Sequence, residues 1–178
     1  MYIQNLNYAF RQSQGSPHST AVIANGGVKK SNVAMAVAHI WSSNSVINQL
    51  RAQTMNITPM EAKLMSIHIG FIPAMNNENN YQILVITDAI SAAKKILESQ
   101  PNPLQKSILP IAIGMKAFLG RDSRNIIHFW QYPNKAKWPR HKLVDNQVKV
   151  TVNISIHPSR NLYLFSRKKE CDDVLKEW

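Results

Sequence analysis

An apolar segment that ends in a carboxylate and leads directly into a helical pattern constrains the fold of this chain most strongly. The residues from Gln82 to Thr87 predict a buried strand, and those from Ile90 to Leu97 predict a helix. Asp88 lies between them, at the carboxyl end of the strand. In α/β proteins this end of a strand is where binding and catalytic side chains collect. The segment therefore predicts an α/β domain with a functional site around Asp88.

Three β-like segments precede this strand and helix. They cover Thr20 to Ala24, Asn32 to Ser42 and Ser45 to Thr54, and the breaks between them are short. Short connections favour antiparallel neighbours, so these segments predict a three-stranded antiparallel meander.

Helices and strands alternate after the meander. Thr58, Pro59 and Glu61 have the spacing of a helix N-terminus with a capping box. Later patterns predict, in order, a helix, a strand and a short helix: Leu104 to Leu119, Asn125 to Tyr132 and His141 to Lys149. The predicted fold class is α/β, with a mixed five-stranded sheet whose first three strands are antiparallel and with helices on both faces.

The chain has 178 residues, a length that suits one domain. Residues 1–17 are rich in Gln, Asn and Ser and end in Gly-Ser-Pro, so we predict a linker or lead-in there. The domain itself is predicted to span residues 18–150. Residues 151–178 are predicted to form a tail with a short amphipathic helix.

The charge balance points to a polyanionic partner. The sequence has 21 Lys and Arg against 10 Asp and Glu, a formal net charge of +11. Nucleic acid and anionic membrane both fit this charge, and composition alone does not choose between them. No segment approaches the roughly 18 apolar residues of a membrane span. The single cysteine, Cys171, excludes an internal disulfide and fits a reducing, intracellular compartment.

Three of the few acidic residues stand in apolar surroundings: Glu61, Asp88 and Asp145. Together they could hold a divalent metal ion. Each also has a purely structural interpretation. Asp88 could cap the following helix, Glu61 could complete the capping box, and Asp145 could form a surface ion pair with neighbouring lysines. The residues alone leave both interpretations open.

Four motifs occur in an order that resembles the type 1 RNase H family, over residues 20–150. They are Val22-Ile-Ala-Asn25-Gly-Gly27, Pro59-Met-Glu61-Ala-Lys-Leu, Ile86-Thr-Asp88-Ala-Ile-Ser-Ala-Ala and Leu143-Val-Asp145. With Phe129-Trp-Gln-Tyr-Pro133, they are similar to the RNase H domains of fungal-type non-LTR retrotransposon polyproteins. The resemblance implies an RNase H-like fold.

The resemblance also implies an activity, namely cleavage of the RNA strand of RNA/DNA hybrids by two Mg²⁺ or Mn²⁺ ions held by four carboxylates. Glu61, Asp88 and Asp145 match three ligand positions, with Asp88 bridging the ions. Asn25 occupies the fourth, where the family has an aspartate. An Asn keeps the oxygen and loses the charge, so the metals would be held more weakly. The alternative is a catalytically inactive module that binds nucleic acid or serves a structural role.

Asn25 has a further interpretation, because Asn-Gly is the preferred pair of a type I′ hairpin turn. A turn at Asn25 would end the first strand there. The family resemblance instead keeps Asn25 inside the strand and bends the chain between Lys29 and Asn32.

Candidate nucleic-acid contacts cluster in two basic segments. A hybrid duplex offers phosphates and 2′-hydroxyls to lysines, arginines and polar side chains. Lys135 stands where the family usually places a histidine, and Trp138 could stack on a sugar or base or fill a gap in the packing. The candidates are Lys29, Lys30, Lys135, Lys137, Trp138, Arg140, His141 and Lys142. The predicted partners are an RNA/DNA hybrid or other nucleic acid and further domains of a retroelement polyprotein, with no membrane.

Overall fold

The structure is a computed structural model that describes residues 2–30, 32–97, 105–133 and 137–150. Five helices and five strands follow one another in these ranges. They are α1 Tyr2–Gln14, β1 Ser19–Val28, β2 Val33–Ser42, β3 Ser45–Met55, α2 Pro59–Asn76, β4 Gln82–Thr87, α3 Ile90–Leu97, α4 Gln105–Arg121, β5 Ile126–Gln131 and α5 Pro139–Lys149.

The strands form one mixed sheet in the order β3-β2-β1-β4-β5. The pairs β1 with β2 and β2 with β3 are antiparallel, whereas β4 runs parallel to β1 and to β5. The strands joined by short connections near the start of the chain therefore pair antiparallel and form the predicted meander. The strands joined through helices pair parallel. The predicted fold class is confirmed.

Helices cover both faces of the sheet, which explains why the central strands are apolar on both sides. We call the side covered by α2, α3 and α4 the α2 face, with Val22, Leu64, Phe71 and Val85 in its core. We call the opposite side, covered by α1 and α5, the α5 face. Its core includes Leu6, Phe10, Ile23, Trp138 and Val144.

The N-terminal segment differs from the expectation of a linker, since Tyr2–Gln14 form the helix α1. Leu6 and Phe10 are spaced one helical turn apart and are fully buried against the sheet. Gln14 accepts a hydrogen bond from the backbone N–H of Asn44 at 3.0 Å, which secures the end of the helix. A few apolar residues are enough to pack a helix on an apolar sheet. The sequence did not predict this helix, because these residues stand among many polar ones. The other domain bounds stay predictions, and residues 151–178 lie outside the described residues.

The first strand continues through Asn25, so the hairpin turn at this residue is wrong. The chain bends after Val28, where the N–H of Asn32 donates to the carbonyl of Lys29 at 2.9 Å and Asn32 has a φ of 57°. Gly26 is therefore not a turn residue, and its lack of a side chain allows α2 to pack closely against β1. A Cβ at Gly26 would lie 2.1 Å from the carbonyl oxygen of Ala62 in α2, so only glycine lets the helix approach this far.

The bounds of β4 and α3 match the prediction, and the predicted capping box at Thr58 is present at the start of α2. The strand before α5 ends one residue earlier than predicted, and α5 begins two residues earlier, at Pro139. Among the described helices, none combines the length and apolar character needed to cross a membrane.

Candidate functional site

The carboxyl ends of β1 and β4 form one wall of a cleft at the edge of the sheet. The parallel register pairs Ala24 with Thr87, so Asn25 and Asp88 follow side by side. Helix α5 packs on β1 and β2 and brings Asp145 to the same place. Two adjoining hollows share these three residues, and we call them together the cleft.

The larger hollow has a volume of about 750 Å³ and the smaller one about 300 Å³. Besides the shared residues, the larger is lined by Tyr132, Lys137, Pro139, His141 and Lys142. The smaller is lined by Gly26, Gly27, Val28, Lys29, Lys63, Val148 and Lys149.

Three of the four predicted metal ligands meet in this cleft. The amide nitrogen of Asn25 donates a hydrogen bond to Oδ1 of Asp145 at 3.3 Å. The side chain of Asp88 is only 10% exposed, whereas that of Asp145 is 33% exposed. The structure thus brings Asn25, Asp88 and Asp145 together, while their roles stay predictions.

Glu61, the fourth predicted ligand, is not in the cleft. Its Oε2 accepts a hydrogen bond from the backbone N–H of Thr58 at 2.7 Å, and its own N–H donates to Oγ1 of Thr58 at 3.2 Å. The structural interpretation of Glu61 is therefore present, because the third helical position directs this side chain back to the helix start, and its role as a metal ligand stays a prediction.

Lys63 reaches the cleft in its place, a residue that the sequence analysis missed. Its Nζ lies 2.9 Å from Oδ2 of Asp88. Two residues along an α-helix turn the side chain by about 200°, so Glu61 and Lys63 point to opposite sides of α2. The capping box fixes Glu61 at the third position, so helical spacing places Lys63 on the opposite side of α2. Which of these two sides faces the strand ends is set by the packing of α2 on Gly26, for which the sequence carries no signal.

Asp145 also has a cationic partner. Lys149, one helical turn further along α5, forms an ion pair with its Oδ2. The surface ion pair considered for Asp145 is therefore present. Lys149 is 68% exposed, so solvent screens the pair strongly.

The donor set of the cleft does not fit a pair of Mg²⁺ or Mn²⁺ ions. Such a pair needs several shared carboxylate oxygens. Here Lys63 takes one oxygen of Asp88, and Asn25 and Lys149 donate to Asp145. Among the described residues, no group of three or more His, Cys, Asp and Glu side chains is placed to hold a metal ion.

His141 forms the buried side of the larger hollow. Its ring stacks on Tyr132 with centroids 4.0 Å apart, and it is 5% exposed. Burial lowers the pKa of His141, although the negative charges of Asp88 and Asp145 act in the opposite direction. Neither Nε2 of His141 nor Oδ1 of Asp88 has a hydrogen-bond partner among the described residues. His141, which is predicted to contact nucleic acid, therefore lies in the inner wall of the larger hollow and not on its rim.

Trp138 belongs to the core of the α5 face and the partly buried Arg140 packs beside it, while the nucleic-acid contacts assigned to both residues stay predictions. Trp138 is 1% exposed, and its Nε1 donates to Oδ1 of Asn7 at 2.9 Å. The guanidinium of Arg140 lies 4.4 Å from the ring centroid of Phe10 and 5.4 Å from that of Trp41. Burial lowers the pKa of Arg140. These contacts attach α1 to the start of α5 through packing and cation–π attraction.

The remaining candidates are lysines. Lys137 and Lys142 are exposed on the rim of the larger hollow. Lys29 lines the smaller hollow and donates to the carbonyl of Lys149 at 2.6 Å. Lys30 is exposed next to it, and Lys135 lies outside the described residues.

Comparison with known proteins supports the fold. Neither a protein-family model nor a curated protein sequence matches the chain. Solved structures do match. An N-terminal RNase H domain from Mycobacterium tuberculosis has a TM-score of 0.55 and 16% identity, covering 72% of this chain and 91% of the other. The RNase H domain of prototype foamy virus has a TM-score of 0.57 and 16% identity, covering 74% and 93%.

A third match is an RNase H1 isolated from compost by metagenomics, with a TM-score of 0.57 and 14% identity, covering 74% of this chain and 94% of the other. The same protein in complex with an RNA/DNA hybrid matches with a TM-score of 0.53 and 12% identity, covering 72% and 92%. The chain therefore has an RNase H-like fold.

Proposed function

We propose that this chain is a nucleic-acid-binding domain that binds an RNA/DNA hybrid, or a related nucleic acid, without cutting it. One observation carries the proposal: five lysines and only two aspartates are among the residues that line the cleft. A phosphate backbone approaching this cleft meets net positive charge, which attracts it at long range and favours contact.

The state of the two aspartates strengthens this electrostatic argument. An uncompensated carboxylate cluster would repel phosphates until metal ions neutralised it. Asp88 and Asp145 each have an ammonium group as partner instead. Lys137 and Lys142 then remain exposed on the rim, where they can contact phosphates regardless of base sequence. Binding is therefore expected without divalent metal.

The choice of nucleic acid and of further partners belongs to the same proposal. The complex of the compost RNase H1 with an RNA/DNA hybrid supports a hybrid duplex as the first ligand to test. The order of the four sequence motifs supports a retroelement setting of the fungal, non-LTR type. In that setting, other domains of a polyprotein would be the protein partners.

Metal-dependent cleavage of the RNA strand is the second candidate. It is favoured by the presence of Asn25, Asp88 and Asp145 in one cleft, at three of the four positions that the family resemblance assigns to metal ligands. It requires a carboxylate set that the cleft does not have. Binding without cleavage therefore remains the better-supported function.

Binding is tested by fluorescence anisotropy with a labelled RNA/DNA hybrid in EDTA over a series of salt concentrations. The Lys137→Ala/Lys142→Ala variant should bind more weakly, and its plot of log K against log salt should be shallower by about two units for two lost phosphate contacts. Lys116→Ala, on the exposed side of α4, is the matched control and should bind as wild type. Equal binding by all three proteins, or no binding by wild type, would contradict the proposal.

Cleavage is tested on the same hybrid with the RNA strand labelled, in Mg²⁺ and in Mn²⁺. We expect the RNA to stay intact with wild type and with Asn25→Asp, since Lys63 remains in both. RNA products from the wild-type protein would overturn the non-cleaving function and establish the nuclease.

A further inference from the structure

The geometry points to Lys63 as a built-in cation: we propose that its ammonium group, with the amide of Asn25 and the ammonium of Lys149, replaces divalent metal in the cleft. The cleft would then keep its structure without metal. This inference concerns how the carboxylates are neutralised and does not depend on which ligand the cleft binds.

The contact between Lys63 and Asp88 is the first argument. The ion pair is 2.9 Å long, and the side chains of the two residues are 25% and 10% exposed. At this burial the charges are screened less than those of an exposed pair. A metal ion on Asp88 would have to compete with this ammonium for the same carboxylate, and would also be repelled by it.

The backbone of α2 holds Lys63 in place. At Gly26, next to Asn25, the strand approaches so closely that an added Cβ would lie 2.8 Å from the backbone nitrogen of Lys63. The hydroxyl of Ser66 donates to the carbonyl oxygen of Lys63 at 2.7 Å. The backbone of Lys63 is thus held in place beside the end of β1. Only the flexible side chain must be ordered for Nζ to reach Asp88.

Asp145 provides a second and separate replacement. Its two oxygens accept hydrogen bonds from Nδ2 of Asn25 and from Nζ of Lys149. An aspartate at position 25 would instead place a carboxylate against Asp145, and the like charges would need a cation between them. The neutral amide removes that need. Each carboxylate of the cleft therefore has an ammonium group of the chain itself as its ion-pair partner, while Oδ1 of Asp88 has no hydrogen-bond partner among the described residues.

The test is a conversion of the cleft into a metal site with the double variant Asn25→Asp/Lys63→Glu. Thermal unfolding is followed in EDTA and in millimolar Mn²⁺, and bound Mn²⁺ is counted by electron paramagnetic resonance. The wild-type Tm should be the same in both buffers, and the protein should bind no Mn²⁺. The double variant should be less stable in EDTA and should gain several degrees in Tm with Mn²⁺, because a ligand of the folded state stabilises it.

Two further substitutions complete the design. Glu61→Gln replaces the carboxylate with an amide whose oxygen can still accept the backbone hydrogen bond of the capping box. Added to the double variant, it should leave the metal response unchanged, because Glu61 is outside the cleft. Lys63→Gln removes the ammonium without adding a carboxylate and serves if the double variant fails to fold. Its Tm should fall in EDTA, which shows that the ion pair supports the cleft.

Three results would overturn the inference: stabilisation of the wild type by Mn²⁺, a folded double variant that ignores Mn²⁺, or a Lys63→Gln protein as stable as wild type. The outcome is separable from that for the proposed function. A wild-type protein that is insensitive to metal yet fails to bind the hybrid would leave Lys63 as the built-in cation and reject nucleic-acid binding.

Discussion

The two faces of the sheet are built by different means. The α2 face has a mainly aliphatic core that also contains Phe71 and Phe118, and the helices that cover it follow one another along the chain, from α2 to α4. The core of the α5 face combines aliphatic side chains with four rings, those of Phe10, Trp41, Tyr132 and Trp138, and in it the first helix meets the last one. The hydrogen bond from Trp138 to Asn7 joins residues 131 positions apart.

The two faces therefore depend on different kinds of interaction. Aliphatic packing on the α2 face depends mainly on the apolar area that is buried. On the α5 face, Trp138, Arg140 and His141 are held by directional contacts with rings and polar atoms. The cleft lies at the strand ends, and its rim residues Lys137 and Lys142 lie on either side of the start of α5, which packs against α1. The N-terminal helix is thereby connected to one wall of the cleft.

The largest expected effect is that of removing a buried ring from either face. Phe10→Ala and Phe71→Ala should each lower the free energy of unfolding by about 3–5 kcal/mol, because both side chains are fully buried. Urea unfolding of the two variants measures this. A loss below about 1 kcal/mol for Phe10→Ala alone would show that α1 is a dispensable lead-in, and the comparison between the faces would fail.

A smaller effect is expected at the two glycines that end β1. Gly26→Ala would place a Cβ 2.1 Å from the backbone of α2, and should cost about 1–3 kcal/mol or more, because backbone must move. Gly27→Ala meets only the side chain of Val148, at 3.4 Å on the α5 face, and should cost less than about 1 kcal/mol. Urea midpoints decide between them, and equal losses would mean that the close approach of α2 is not what requires glycine.

The smallest effect is expected from pH, and it should arise on the α5 face. Burial is the main cause that lowers the pKa of His39 and of His141. His39 is held by a hydrogen bond to Gln147, and His141 faces Asp88, Asp145, Lys63 and Lys149. A lowered folded pKa means that the unfolded chain binds protons first as pH falls through about 6.5. The contribution of the two neutral, buried histidines to the free energy of unfolding is therefore fully present above this pH and is lost as the pH falls below it.

The histidine prediction is measured as the change in urea midpoint between pH 7.5 and pH 5, values chosen as about one unit or more on either side of 6.5. The double variant His39→Gln/His141→Phe should lose less stability on acidification than wild type. His128→Gln, at an exposed position of β5, controls for the loss of a histidine that is not buried. If the double variant and the wild type lose equal stability, other groups govern the acid response.

Local patterns predicted those parts of the fold that depend on neighbours in sequence. The apolar run before Asp88 gave the bounds of β4, and Thr58 with Glu61 gave the start of α2. The position of α1 was missed, because two buried side chains in a polar segment resemble a linker. Trp138 could have been a ligand contact or a packing residue, and only its contact with Asn7 decides for packing.

The candidate site shows the same limit more sharply. Asp88 could be identified because functional side chains collect at strand ends. Asp145 was identified as one of the few carboxylates in apolar surroundings, and Asn25 only through the family resemblance. Glu61 was assigned to the cleft and Lys63 was not, since the sequence does not show which side of α2 faces the strand ends. The close contact of Gly26 with Ala62 fixes that rotation.

By itself, the sequence determined the alternation of strands and helices, the excess of positive charge and the few carboxylates available, because these depend on residue type and local spacing. The tertiary structure alone decided that Lys63 meets Asp88, that Asn25 meets Asp145 and that α1 completes the α5 face. Such contacts join side chains far apart in the chain. Their geometry follows from how closely the elements can pack, a property of shape in three dimensions that no local pattern contains.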